Sequence, residues 1–470
     1  MNNSAINQLT DLVKALSAGQ YDAAPGSLVQ GAALQIEDLA TVMNNVTFEQ
    51  QHIKLQKMLK SVSCKSTTAQ FDRQLSYGQF GGAAQLEGNL GDENTSDFVR
   101  VTVPMAYYSE ARRVTIASTL VATVDGKKSD ERAAADAAMT LAGNVEFDSF
   151  RGLDDFSNAG VFDGNPLAVN GDLPNIHGLS LQVRQSDYQV NTRDLMFSEF
   201  GSDESVVIGV GGIALTQGNI EDASLRSSLA FGTAKKLIVD PIALANYNKI
   251  VFGKERIILA GSPQNATGGD LREQWVMGGT VSVEASQFLR GKFKPARPRS
   301  NGPAAPVSIS LANTAAGTSL AAGTYYYYAT TGNEDGESPS CAAVQSASIT
   351  AGDKITVTIT SPGSGVARFF NVYRSGVAGT AAQAKFVGRV AAAASGTTAF
   401  VDLGNRVPGA TSGYLLQDEA AELKELCPYS RLKLAVTQLD SPEAHFRFVT
   451  LAVLQPRKFV ILDNIKGTIF

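Results

Sequence analysis

Cysteine is nearly absent from this 470-residue chain: Cys64, Cys341 and Cys427 are the whole complement. Three thiols this scattered exclude a disulfide scaffold and a thiolate zinc site, and they suit a reducing assembly compartment. Histidine is as sparse, and His52, His177 and His445 sit in neither an H-E-x-x-H nor a cysteine-rich setting, so no metal centre is expected. His52 reads as an ordinary helix residue. No apolar run approaches the ~20 residues of a membrane-spanning helix. The opening MNNSAINQLTDLVKAL has neither a basic leader nor a long apolar core, so export and membrane insertion are not expected. A dominant charge is missing too: 40 basic and 45 acidic residues leave a net charge of -5. That balance argues against a general nucleic-acid binder and confines any such contact to local patches.

Catalytic signatures are also missing. The Gly-Lys pairs beginning at Gly126, Gly253 and Gly291 lack the upstream glycine and following Ser/Thr of a phosphate loop, and there is no G-x-S-x-G. Gly209, Gly211 and Ala214 in GVGGIA fit a dinucleotide fingerprint, but the next helix is expected only near Ile220, so no helix N-terminus meets a phosphate and a β-turn is the better reading. Asp92, Asn94 and Ser96 form half a calcium loop without its glycine or distal glutamate, and read as a solvated loop. No catalytic, cofactor-binding or metal residue is therefore assigned. One cluster carries more: in GKFKPARPRS, Lys292, Lys294, Arg297 and Arg299 come without an acid, and Pro295 and Pro298 keep them extended. Position favours a stiff linker; the alternative is a contact with an acidic partner surface or nucleic acid.

What is present is organised for two or three domains. Residues 1 to 30 are small and polar and read as a loose arm. Ile36, Leu39, Ala40 and Met43 recur at helical spacing, and Thr47 with Gln50 could cap a second helix carrying Phe48, His52, Leu55 and Leu59 on one face. From Leu75 glycine crowds the chain (Gly78, Gly81, Gly82, Gly88, Gly91), leading into FVRVTVPMAYYSEARRVTIAST, two alternating runs around Pro104 that predict a long hairpin with a flexible approach. Ser129 as N-cap, with Asp130 and Glu131 in the first turn, opens a helix striped by Ala134, Ala137, Leu141 and Val145. Strands are expected at LSLQVR, ESVVIGV, LIVD, ERIILAG and TVSVEAS. Helices are expected at NIEDASLRSSLAFGTAKK and at DPIALANYNKI, the latter capped by Asp240 with Pro241 in its first turn. Near the end LKLAVTQL, FRFVTLAVLQ and KFVILD return to β.

Between these lies a low-charge segment, about Pro303 to Gly413, with seven short strand patterns starting near residues 307, 324, 342, 354, 368, 385 and 398. In KITVTIT, Ile355, Val357 and Ile359 alternate with threonines, the period of a half-buried strand. In GTYYYYATTGNEDGESPS, Tyr325 and Tyr327 face one way and Tyr326 and Tyr328 the other, so both faces need cover. One pair should be buried and the other should lie on the outer sheet face with its hydroxyls at water; covering that face is the favoured role, and a partner contact is the alternative. The aromatic strand with its NEDGES turn and the FNVYRSG hairpin resemble fibronectin type III or immunoglobulin-like domains, of the variety without a disulfide. Strands of a larger α+β core lie on both sides, so the sandwich reads as inserted.

The order of arm, glycine-rich extended loop, acid-capped helix and α+β body, with GGIALTQGNIEDASLRSSLAFGTAKKLIVDPIALANY and the closing LQPRKFVILD, resembles the major capsid proteins of tailed bacteriophages. That resemblance implies an α+β Hong Kong 97-type fold: arm 1-70, extended loop 71-117, peripheral domain with spine helix 118-205, axial domain 206-302, immunoglobulin-like insertion 303-413, and a return to the axial and peripheral domains over 414-470. It implies a non-enzymatic protein that self-assembles into hexamers and pentamers of an icosahedral head around double-stranded DNA, touched non-specifically. It further implies a virion location after assembly in the host cytoplasm, and scaffold, portal and decoration proteins as partners. The insertion would be a surface knob. No cofactor and no membrane contact are expected. The alternatives are the shell of a non-viral protein nanocompartment and, from another class, a surface adhesin, for which an export signal is lacking.

Overall fold

The computed structural model of the chain describes residues 47–78, 84–91, 93–121, 128–151, 175–184, 206–252, 273–277, 279–289, 302–316, 319–333, 335–363, 367–393, 396–436 and 438–468. The expected arm up to residue 46, the strand at ERIILAG and the basic cluster of Lys292, Lys294, Arg297 and Arg299 lie outside these residues. The chain divides into two compact units, one of Met1–Phe48, Arg113–Ala133 and Val436–Ser441, the other holding the remainder. Within the first, the Ile116 amide donates to the Leu439 carbonyl and Arg113 pairs with Asp440 at 3.2 Å.

In the second unit the helix expected across Phe48 and Leu59 is two separate turns, a 3-10 turn at Gln50–His52 and α1 (Leu55–Met58). The capping box sits at Glu49 and His52, where the imidazole accepts the Glu49 amide at 2.9 Å and closes the first turn on itself; Ile53 then runs extended. Strands β1 (Lys60–Ser63), β2 (Thr68–Ser76), β3 (Asp97–Pro104) and β4 (Ala106–Thr115) follow. The hairpin is not the one expected. β3 pairs with β2, Phe71 opposite Val101, and the glycine-rich segment joins them, whereas β4 leaves for another sheet. Pro104 is the last paired residue of β3; the Met105 amide still donates to the Thr67 carbonyl at 3.1 Å, and Met105 and Ala106 are buried as the chain passes to the other sheet.

After the short α2 (Ile116–Leu120) comes the long α3 (Ser129–Arg151), with Asp130 and Glu131 in its first turn and Ala137, Leu141 and Val145 buried along its stripe. Ser129 is the first helical residue and not the cap; its hydroxyl donates to the Ser118 carbonyl at 2.7 Å. LSLQVR is a helix, α4 (Leu179–Arg184), and not a strand. Ser180 and Gln182 are as buried as Leu179, Leu181 and Val183, so the alternation that suggested β is an accident of burial on all sides. Gln182 is satisfied by the Leu451 carbonyl at 2.8 Å and the Val453 amide at 3.1 Å.

Next come β5 (Val207–Gly209), α5 (Gln217–Leu229), β6 (Lys236–Val239), α6 (Pro241–Phe252), β7 (Glu273–Val276) and β8 (Gly279–Ala285). Thr216 caps α5 in a box with Asn219, so the helix begins three residues earlier than its pattern suggested. Asp240 accepts the Ile242 amide at 3.0 Å ahead of Pro241, as expected. The turn in GVGGIA places Gly211 and Gly212 in succession at φ 76; a Cβ on Gly212 would lie 2.2 Å from a Val407 methyl, so only glycine fits.

The seven strand patterns are present as β9 (Ser308–Ala315), β10 (Tyr326–Asn333) with its two-residue return β11 (Gly336–Glu337), β12 (Val344–Gln345), β13 (Asp353–Thr360), β14 (Phe369–Arg374), β15 (Lys385–Ala391) and β16 (Thr397–Asp402). One sheet runs β16-β13-β9; the other runs β11-β10-β14-β15, with β12 on β10. Ile355, Val357 and Ile359 are fully buried against Tyr327, Phe370 and Val372 of the facing sheet. The last strands are β17 (Thr411–Leu416), β18 (Ala421–Lys433), β19 (Asp440–Val453) and β20 (Val460–Ile465). β17 is buried throughout and pairs with β6 and β20, so a strand of the larger core already begins before the expected boundary at 413. LKLAVTQL is only partly β, since β18 ends at Lys433.

Two sheets make the larger α+β core: a mixed one ordered β5-β20-β17-β6-β8-β7, and β1-β18-β19-β4. Leu55, Val145, Phe150, Leu179, Leu423, Val449, Leu451 and Tyr414 share one core, and Ile220, Leu237, Tyr247, Val283 and Leu462 another. No helix among the described residues is long and apolar enough to cross a membrane.

Candidate assembly interface

Four features of the second unit decide what the chain offers to other molecules. The first is the β2–β3 hairpin. It is anchored toward its loop end: Arg73, opposite Val99 and 7 % exposed, donates from Nε to the Leu454 carbonyl and from Nη2 to the Val453 carbonyl, both at 2.7 Å, with its guanidinium 5.2 Å from the Phe71 ring centre. Burial pulls the Arg73 pKa down to about 10, so it stays charged at neutral pH. The segment beyond the anchor, and Phe98 beside it, are bare. Tyr77 is 80 %, Leu86 80 %, Leu90 96 % and Phe98 66 % exposed. Asp72 and Arg100 form a two-pronged pair on the surface, and the Arg100 hydrogen bond holds the Asp72 carboxyl below its ordinary value. The hairpin is thus tied at Arg73 and exposes large apolar side chains beside and beyond that tie, in Phe98 and along the joining segment.

The second is α3. Glu146, fully buried, accepts the amides of Lys54 at 2.9 Å, Leu55 at 2.7 Å and Gln56 at 3.0 Å, which are the open donors at the start of α1. Burial raises its carboxyl above the ordinary value and those hydrogen bonds partly offset it. Two residues on, Asp148 accepts the Tyr108 hydroxyl of β4 at 2.7 Å; burial, and then this carboxylate, push the phenol well up.

The third is the join between the two small sheets and the larger core. The Tyr327 hydroxyl donates to Asp402 Oδ2 at 2.9 Å, and Arg374 reaches the same oxygen at 2.6 Å and the Arg406 carbonyl at 2.8 Å. Arg406 turns toward β20, with Nη1 3.5 Å from Asp463 Oδ1 and Nη2 donating to the Ala410 carbonyl at 3.1 Å. Asp463 also accepts the Ser412 hydroxyl at 2.8 Å. Asn464, at φ 56, binds the Asn405 carbonyl and the Val407 amide, a left-handed position that asparagine tolerates. Burial opposes the charge on Arg374, but Asp402 more than restores it and its pKa is raised.

The fourth is the tyrosine run. Tyr325 and Tyr327 are the buried pair, at 3 % and 0 % exposure, which removes them from the partner-contact set. Tyr326 and Tyr328 are half-buried, and the expectation that both hydroxyls face water is corrected for Tyr328: its ring stacks on Tyr373 at 4.7 Å and its hydroxyl donates to the Ala384 carbonyl at 3.4 Å. The outer face of this sheet is covered, with Thr330, Asn371, Tyr373 and Arg389 all buried. Glu337 gathers the Thr330 hydroxyl, the Tyr373 hydroxyl and the Asn371 amide.

The anchoring residues Arg73, Glu146, Arg374 and Asp463 escaped the sequence reading; three of them sit as a charge inside an apolar stretch, Glu146 in NVEFDSF, Arg374 in RFFNVYRS and Asp463 in KFVILD, whereas Arg73 lies in the polar run TTAQFDRQLS. Among the described residues no cluster of His, Cys, Asp and Glu could hold a metal, and the three cysteines are free thiols.

No protein-family model matches the chain. Its sequence is 22 % identical over 472 residues to the major capsid protein of Staphylococcus phage K, covering 97 % of this chain and 95 % of the relative. It is equally similar to that of Staphylococcus phage S25-3, and 23 % identical over 483 residues to a putative major capsid protein of Enterococcus phage phiEF24C, with the same coverage. Among solved structures, the capsid of the native GTA particle aligns over 94 % of this chain and 100 % of its own (TM-score 0.45, 10 % identity). The capsid of Myoviridae Phage XM1 aligns over 94 % and 100 % (TM-score 0.42, 9 % identity). The resemblance to phage major capsid proteins covers 97 % of this chain and 95 % of those relatives, and it supports a structural capsid role.

Proposed function

We propose that many copies of this chain close into an icosahedral phage head of hexamers and pentamers around double-stranded DNA. The observation that carries this reading is the full-length match to phage major capsid proteins, and the physical design agrees with it. The exposed Tyr77, Leu86, Leu90 and Phe98 gain their burial by lying across a neighbouring copy, which makes assembly the step that completes each subunit. In this reading 71-117 is the extended loop of a Hong Kong 97-type subunit, α3 its spine, 206-302 with the closing strands its axial domain, and 303-413 an immunoglobulin-like insertion that projects as a knob. Assembly takes place in the host cytoplasm, with scaffold, portal and decoration proteins as further partners. The DNA contact is non-specific, and the basic cluster of Lys292, Lys294, Arg297 and Arg299 serves first as the linker into the knob. Sedimentation velocity of the purified chain at rising concentration tests the reading: capsomers and closed particles should replace the monomer, and a monomer at every concentration and salt would refute it.

A further inference from the structure

One imidazole in the β18–β19 pair is cut off from water. His445 of β19 is fully buried, and the Tyr429 ring of β18 lies nearly parallel to it, 7° between planes and 6.0 Å between centres. The Tyr429 hydroxyl is 2.9 Å from His445 Nδ1 and 3.1 Å from the Ala134 carbonyl on α3. Since the hydroxyl donates to that carbonyl, Nδ1 carries the ring proton and Nε2 is bare. Nε2 has no hydrogen-bond partner and lies 3.9 Å from Glu443 Oε2. Around the ring, β18 contributes Arg431, paired with Glu443 of β19, and β4 contributes Glu110 and Arg112, paired at 2.6 Å. α3 contributes the Ala134 carbonyl and the Thr140 hydroxyl, the latter 3.4 Å from Arg112. Two guanidiniums face two carboxylates, so the cluster is balanced only while the imidazole is neutral.

We propose that His445 is a proton-operated latch between the β18–β19 strands and the spine helix. The neutral ring holds the Tyr429 hydroxyl on the Ala134 carbonyl. A proton taken up at Nε2 leaves a buried positive charge in excess, turns the ring toward Glu443 in competition with Arg431, and releases the helix carbonyl. Burial is the first cause that sets the His445 pKa below its ordinary 6.5, with Arg431 and Arg112 adding to it against Glu443 and Glu110. A base whose folded value lies below its unfolded one contributes stability that is complete above the ordinary value and lost as pH falls below it. Acid therefore loosens this junction.

The test uses the full chain with His52→Gln and His177→Gln, which leaves His445 as the single histidine. Its ring signals should titrate below pH 6.5, and amide exchange at residues 135 to 141, corrected for intrinsic rates, should rise severalfold with the same midpoint. Adding His445→Gln should flatten that exchange profile, and Tyr429→Phe in place of it should leave the titration but uncouple the helix amides. A ring that titrates at or above pH 6.5, or helix amides indifferent to its protonation, would overturn the proposal; the ring titration needs no substitution at the latch, so a variant that fails to fold does not shield the idea.

Discussion

Glu146 on α3 accepts the backbone amide of Leu55 at 2.7 Å, and with its two oxygens also serves Lys54 and Gln56. One carboxylate thereby supplies the N-terminal partners that the four-residue α1 cannot supply for itself, and it fastens the first described turns to α3. Glu146→Gln keeps one acceptor oxygen and turns an amide donor toward the other backbone N–H groups. Chemical denaturation should show a loss of about 2 kcal/mol, and proteolysis should reach residues 53 to 58 first. A neutral substitution would mean the turn is held by Leu55 burial alone.

At the join between the small sheets and the larger core, Asp402 is the counter-charge of Arg374, and both are buried. Asp402→Asn leaves that guanidinium without an anion and should cost ~3 kcal/mol or more in denaturant unfolding, as one-sided removal of a buried pair does. The double change Arg374→Met with Asp402→Leu should cost less than Asp402→Asn. If the double variant is the worse of the two, the pair is a source of stability in its own right.

Tyr328 and Tyr326 separate packing from contact. Tyr328→Ser removes the ring stacked on Tyr373 and should lower unfolding free energy by ~1–2 kcal/mol, read by thermal melting, without altering particle attachment to cells. Tyr326→Ser should stay within about 0.5 kcal/mol of the parent. Loss of attachment in that variant alone would identify Tyr326 as the surviving member of the tyrosine set that touches a partner.

The hairpin offers a direct comparison of states. Protease should cut the unassembled chain between Leu75 and Asp97, where Leu86 and Leu90 stand almost fully exposed, and should spare the same bonds in particles. Equal cutting in both would contradict burial across a neighbour.

Much of this molecule was legible in its sequence because periodicity survives where one face is wet. KITVTIT, the stripe of α3 and the Asp240-Pro241 helix start all carry signals that local physics alone produces. The failures share a cause as well. LSLQVR alternates like a strand but is a helix buried all round, and β3 found its partner in β2, not in β4, because pairing is decided by contacts far along the chain. β17 was overlooked because TSGYLL is buried on both faces and shows no alternation. The anchoring charges were hidden for the same reason: a buried Arg374 or Asp463 is defined by its partner, and the partners lie 28 and 57 positions away. In the candidate interface, glycine content marked the hairpin, whereas the tie at Arg73 depended on β19, some 380 residues on.

Electron microscopy of the concentrated, purified chain tests the central claim most directly. The account predicts closed shells of uniform size built from six-fold and five-fold rings, with each β2–β3 hairpin lying over the adjacent subunit. A particle-free field of single subunits under all assembly conditions, or rings in which the hairpin touches only its own chain, would contradict it.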